Sequence, residues 1–233
     1  MNYYRQYRPN VFPPIVKNLL IINVLVFIAQ NVIKPETFDI THTFALHDVH
    51  SVFFKPHQLI TYMFMHGSFE HILFNMLAVW MFGSQLENFW GSKRFLIYYI
   101  VTGLGAGLLH LLVLYLEMAP AMEQFRSLPV DMQLDLIRSD RFIINIPTLG
   151  ASGAVFGLLA AFGYLFPNSL IYVYFLIPLK AKWFVLIYGA IELMLAVRNS
   201  AGDNVAHFAH LGGAITGFII VLIWNKTNRK TLY

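Results

Sequence analysis

The apolar residues of this chain run in long stretches, with the polar side chains collected between them, instead of in the one-sided patterns of short amphipathic elements. Six stretches come near the roughly 20 residues that a helix needs to cross a bilayer core of about 30 Å. They are Ile15 to Ile33, Phe69 to Leu86, Phe95 to Leu116, Leu149 to Phe166, Trp183 to Val197 and Val205 to Trp224. The fifth is short, carries Glu192, and follows a further apolar run, "LIYVYFLIPL", expected either to lie along the interface or to lengthen a neighbouring span. The first is long for the apolar core of a signal peptide, and "FIAQNVIKPE" at its end offers no small-residue cleavage site, so it counts as a span. The pattern predicts an all-α, polytopic membrane protein with a membrane domain over 15–224, an N-terminal segment over 1–14 and a C-terminal tail over 225–233.

Composition agrees with that picture: 58% of the 233 residues are hydrophobic and only 12% are charged, against about 25% charged in an ordinary soluble domain. Cysteine is absent, which removes disulfides and thiolate metal sites. The net charge of +4 bears on orientation in a bilayer before it bears on nucleic acid, and no nucleic-acid partner is expected. Ten of the sixteen Lys and Arg residues fall in the N-terminus, the second loop, the fourth loop and the C-terminus, while ten of the twelve acidic residues fall on the other side. Because basic residues collect in cytoplasmic segments, both termini are expected to be cytoplasmic. The third loop, Glu117 to Thr148, mixes apolar and charged residues and is expected to be either a short amphipathic helix on the outer surface or a flexible loop.

In this orientation the second, fourth and sixth spans all run inward, and each carries polar residues near its outer end: His71 and Asn75, Ser152, and His210. Ser152 is placed about one turn below the outer end of its span. Polar side chains are costly in lipid and face a bundle interior or a water-filled cavity, and scattered structural histidines have no reason to agree in depth. A serine hydroxyl becomes a nucleophile when a neighbouring base takes its proton, and His is the usual base near neutral pH. The oxyanion that results needs placed donors, which an Asn amide, a second His and the free N–H groups of a helix start can supply. No Asp or Glu is expected at the depth of His210, so the sequence predicts a dyad. Gly150, Gly153 and Gly157 on the fourth span and Gly213 and Gly217 on the sixth suit close approach of the two backbones. On spacing alone, Ser152 as a small packing residue and Ser152 as a nucleophile both stay open.

Three stretches in order on spans two, four and six, "HGSFEHILFN", "GASGAVFG" and "AHLGGAITG", resemble the signatures of the rhomboid intramembrane serine proteases, with the likeness running from about Leu59 to Trp224. The resemblance implies a six-transmembrane-helix rhomboid-like bundle in which Ser152 is the nucleophile and His210 the general base. His71 and Asn75, with the Ser152 backbone N–H, would form the oxyanion hole. Gly150, Gly153, Phe156, Gly213 and Gly217 are supporting residues, and no cofactor or metal is required. Partners implied are the lipid bilayer and transmembrane protein substrates cut in or near their membrane segments. "LENFWGSKRF", with Glu87, resembles the family's second-loop region. The first loop, "HTFALHDVHSVFFKPHQ", lacks the Trp-Arg pair of some bacterial members, and Phe156 stands where some have Tyr, on the face where it could stack on the His210 ring.

Two other classes compete. A metal-binding membrane protein would use the outer-side histidines His42, His47, His50, His57 and His66, but "HGSFEH" misses the inverted zinc-protease spacing by one residue, and solvated loop residues are the simpler expectation. A non-catalytic rhomboid-like protein would bind transmembrane clients without needing Ser152 and His210 together. His207 is expected nearer the outer surface than His210, His66 at the site entrance, His110 as a packing or interfacial residue, and Trp90, Tyr98, Trp183 and Trp224 as interfacial anchors. The resemblance also implies a lateral gate, for which span five with the loop Arg198 to Asn204 is the candidate. A bacterial plasma membrane, with the site opening outward, is the expected location, and an organellar membrane is the alternative.

Overall fold

The computed structural model describes residues 9–139, 142–173, 176–198 and 206–228. The fold is a mostly helical membrane bundle of the expected class. Its principal helices follow the apolar runs: α1 (Pro14–Val32), α4 (Phe69–Ala78) continued through a π-helical turn at Val79–Gly83 into α5 (Ser84–Trp90), α6 (Ser92–Glu117), α9 (Ser152–Leu165), α10 (Ala181–Arg198) and α11 (His207–Asn228). Of these, α1, α6 and α11 are by themselves long and apolar enough to cross a membrane. Large apolar side chains on their outer faces, such as Leu25, Ile28, Leu108 and Ile219, are exposed in the isolated chain, as lipid-facing residues must be.

The first loop carries two short helices, α2 (Ile40–Phe44) and α3 (Gln58–Thr61). Buried Gln58 holds the loop, donating from Nε2 to the carbonyls of His42 and Phe53 while Oε1 accepts from Lys55 N–H. The third loop, expected as either a short amphipathic helix or a flexible loop, is two helices, α7 (Ala119–Ser127) and α8 (Val130–Ile137). Leu128-Pro129 separates them, since proline cannot supply the backbone N–H that a continuous helix needs. "LIYVYFLIPL" does not lengthen a neighbouring helix. It folds into an antiparallel hairpin of β1 (Leu170–Val173) and β2 (Ile177–Lys180), in which β-branched and aromatic residues suit an extended pair.

At the centre stands α9, with Gly153 through Gly163 buried on all sides. It packs against α6, α10, α11 and the π turn, so its mantle is the rest of the bundle. A Cβ at Gly213 would run into the Gly153 carbonyl, and one at Gly217 would fall 2.9 Å from Gly157 Cα, so the α9–α11 contact exists only because these positions carry no side chain. Tyr98, expected at the interface, is instead fully buried and donates to the Gly157 carbonyl at 2.6 Å. A hydroxyl that finds a backbone acceptor can be buried without penalty, which composition alone does not reveal. At 14 residues α9 is about 21 Å long, short of a bilayer core of about 30 Å, and the residues leading into its N-terminal end, Gly150 and Ala151, are buried in the protein.

Candidate active site

Ser152 is the first residue of α9, not a turn inside it. The helix starts late because Gly150 has φ +134°, outside the helical region and disfavoured for residues with a Cβ. That backbone is braced from outside. Gly150 N–H donates to the Tyr62 carbonyl, Tyr62 Oη donates to the Gly103 carbonyl, and Leu46 and Thr148 exchange a pair of backbone hydrogen bonds. The first N–H groups of α9 have no intrahelical acceptor, and the positive end of the helix dipole lies at the serine.

His210, in the first turn of α11, approaches from the side, and its Nε2 lies 2.9 Å from Ser152 Oγ. Phe156, one turn along α9 from Ser152, stacks on the His210 ring with centroids 4.4 Å apart and planes 9° from parallel. His71 enters from α4. Its Nδ1 accepts from Gly67 N–H at 3.4 Å, which leaves the proton on Nε2. A Cβ built on Gly150 would fall 2.8 Å from His71 Nε2 and 3.5 Å from Ser152 Oγ, so this donor, the bare face of Gly150 and the serine hydroxyl frame one small space. Asn75, one turn further along α4, is buried with its Nδ2 donor unpartnered, and it lines the same cavity. An unpaired buried amide costs about 1–3 kcal/mol, which a ligand oxygen would relieve.

The expectation that no acid reaches His210 is overturned. Glu192 Oε2 lies 2.9 Å from His210 Nδ1 and 2.6 Å from His207 Nδ1. The inward-running spans share a depth near their N-terminal ends, whereas α10 runs the opposite way and reaches that depth near its C-terminal end. Glu192 is six residues, about 9 Å, from its last residue, Arg198. An acid inside an apolar span was the available signal, since such residues face the bundle interior. His207, the first residue of α11 and one turn before His210, is buried in this cluster. Among the described residues these three side chains could in principle hold a metal ion. Nitrogen and oxygen ligands of one tetrahedral ion about 2.0–2.1 Å away sit roughly 3.3 Å apart, however, and the separations here are those of hydrogen bonds.

The remaining histidines are mostly structural. His66 is buried rather than at the entrance, exchanging hydrogen bonds through its backbone with Gln30 and meeting His71 edge-on at 5.0 Å. His47 is buried, not solvated, against the Ala45 carbonyl, and His42 stacks on Phe53 at 4.1 Å. His110 binds Thr148 Oγ1 at 2.7 Å in a buried packing position. The residues from 199 to 205 of the expected gate lie outside the described residues.

A cleft of about 1440 Å³ opens onto Ser152 and His210 and runs between α4 and α10, lined by Phe74, Ala78 and Met81 on one side and Phe184, Ile187 and Ile191 on the other. The fold thus defines a polytopic helical membrane protein in which a serine and a histidine meet at the floor of a largely apolar cleft. The chain belongs to the rhomboid family, whose domain model matches residues 54–226 and which includes intramembrane serine proteases. It is 30% identical over 156 residues to yeast Rhomboid protein 1, mitochondrial, covering 67% of this chain and 38% of that one. It is 28% identical over 206 residues to the mitochondrial RHOMBOID-like protein 12 of Arabidopsis thaliana, covering 88% and 56%. To Rhomboid protease AarA of Providencia stuartii it is 29% identical over 171 residues, covering 70% and 53%. The aligned region thus takes in only about two-fifths to just over half the length of these relatives. Mitochondrial proteins stand beside a bacterial one here, and the expected bacterial plasma membrane gains no support from them.

Proposed function

We propose that this protein is an intramembrane serine endopeptidase that cuts peptide bonds in or near transmembrane segments of other membrane proteins. The observation that carries the proposal is the 2.9 Å contact between Ser152 Oγ and His210 Nε2, in a cleft into which Asn75 brings a buried Nδ2 donor without a partner. Ser152 Oγ attacks the substrate carbonyl carbon as its proton passes to His210 Nε2. The oxyanion is held by His71 Nε2–H, Asn75 Nδ2 and the backbone N–H of Ser152. On collapse the C–N bond breaks and the departing amine takes the proton from His210. Water, deprotonated by the same imidazole, then hydrolyses the ester and restores the serine.

The cleft between α4 and α10 is the route for a substrate helix arriving from the lipid, and its apolar walls suit such a partner. The charge distribution favours both termini in the cytoplasm and a site that opens outward. Cleavage of a generic transmembrane substrate by purified protein in detergent tests the activity, comparing wild type with Ser152→Ala and His210→Ala, each with and without a chelator. Cutting by wild type despite chelator, with both variants folded and inactive, is the expected result. Equal activity in Ser152→Ala would return that residue to a packing role, and loss with chelator would point to a metal.

A further inference from the structure

A Ser-His dyad leaves two buried side chains of the cluster without a task, Glu192 and His207. Resting on the proteolytic function above, we propose that Glu192 is a positioning residue that completes a Ser152–His210–Glu192 triad, with His207 fixing the carboxylate by a second hydrogen bond. A carboxylate oxygen can only accept, so its contacts at 2.9 and 2.6 Å place a proton on Nδ1 of both histidines. For His210 that choice decides function. With Nδ1 protonated, Nε2 offers its lone pair to the Ser152 hydroxyl 2.9 Å away, whereas the other tautomer could not take the proton.

The carboxylate also answers the charge that appears during attack. The serine proton moves to His210 Nε2 and later to the leaving amine; Glu192 takes no proton and stabilises the imidazolium between those steps. In a site walled by apolar side chains such a charge pair is screened far less than in water. His207 and His210 are three residues apart and so share one face of α11, turned toward Glu192 on α10. Two donors on one oxygen restrict the rotamers of a flexible glutamate, and Phe156 clamps the face of the His210 ring. A glutamate needed only for packing would be satisfied by one of these bonds, and burying it in an apolar helix would carry a cost with no return.

The test is steady-state cleavage by Glu192→Gln and Glu192→Ala beside wild type and Ser152→Ala, with thermal unfolding as the check on folding. A triad predicts a kcat lower by roughly 10² to 10⁴-fold with KM within about threefold of wild type, and partial recovery in Glu192→Asp. Any loss above tenfold confined to kcat upholds the assignment; folded variants that lose less than tenfold overturn it. Should the variants not fold, ¹⁵N-histidine spectra of unaltered protein decide: a hydrogen-bonded Nδ1–H on His210 upholds the triad, and an Nε2–H tautomer overturns it. A wild type that cleaves nothing would defeat the proteolytic function, and the spectra would still decide the tautomer.

Discussion

Asn75 is the residue whose geometry makes the sharpest claim, because a buried amide without a partner has no other reason to stay polar. Asn75→Leu keeps the volume and removes the donor; kcat is expected to fall roughly 10² to 10³-fold with little change in KM, measured on a transmembrane substrate. His66 yields a prediction of a different kind. Burial, aided by nearby His71, pushes its ring down from the ordinary 6.5 to about 4. The folded protein then binds fewer protons than the unfolded chain between those values. Its stabilising effect is complete above pH 6.5 and drains away as pH falls toward 4, by up to about 3 kcal/mol. Thermal unfolding of wild type and His66→Gln across that range should show the wild-type midpoint falling more steeply; parallel curves would rule this out. Ser152, His210, His71 and Asn75 were legible because each lies in a short local pattern on a span. Glu192 was not, since its partners are 15 and 18 residues away on a helix running in the opposite direction and no local spacing records that encounter.

Helix boundaries were legible wherever an apolar run ended in charge, as at α1 and α6, and less so where backbone conformation decided. The start of α9 depends on one positive φ at Gly150, and the hairpin after it depends on pairing between strands that a hydropathy run cannot express. Gly150→Ala should abolish cleavage and lower the thermal midpoint as well, because a Cβ is strained at φ +134° and a methyl there meets His71 where substrate oxygen would sit. At the opposite end of the bundle, Glu87 accepts the N–H groups of Ile15 and Val16 at 3.0 and 2.9 Å, closing the open first turn of α1 with a negative charge. Ser92 Oγ adds a third donor to the same carboxylate. Glu87→Ala orphans those donors and should lower stability by about 1–3 kcal/mol, read as an earlier thermal midpoint in detergent, with kcat of the remaining folded protein unchanged.

Taken whole, the bundle surrounds a short buried helix whose active end is reached from the side. With no native cysteine, a pair introduced across the cleft, one on α4 and one on α10, can be crosslinked without competing thiols. Crosslinking is expected to stop cleavage of a full transmembrane substrate and to spare reaction of Ser152 with a small phosphonate probe. Undiminished cleavage of the full substrate would rule out this route. The same wall carries Glu192, so displacing α10 far enough to break its bonds to α11 would also unfasten the base.

The π turn between α4 and α5 bears on how this chain tolerates length changes. A turn closed from i to i+5 holds one residue more than an α turn, so a single deletion within Val79–Gly83 can be absorbed by tightening it, leaving the helix on either side in phase. The same deletion within Phe69–Ala78 has no slack to draw on. It would rotate the N-terminal part of the helix by about 100° against the C-terminal part, swinging His71 away from Ser152 while Glu87 kept its hold on α1. The active half and the anchoring half of this helix are thus joined by a coupling with one residue of play.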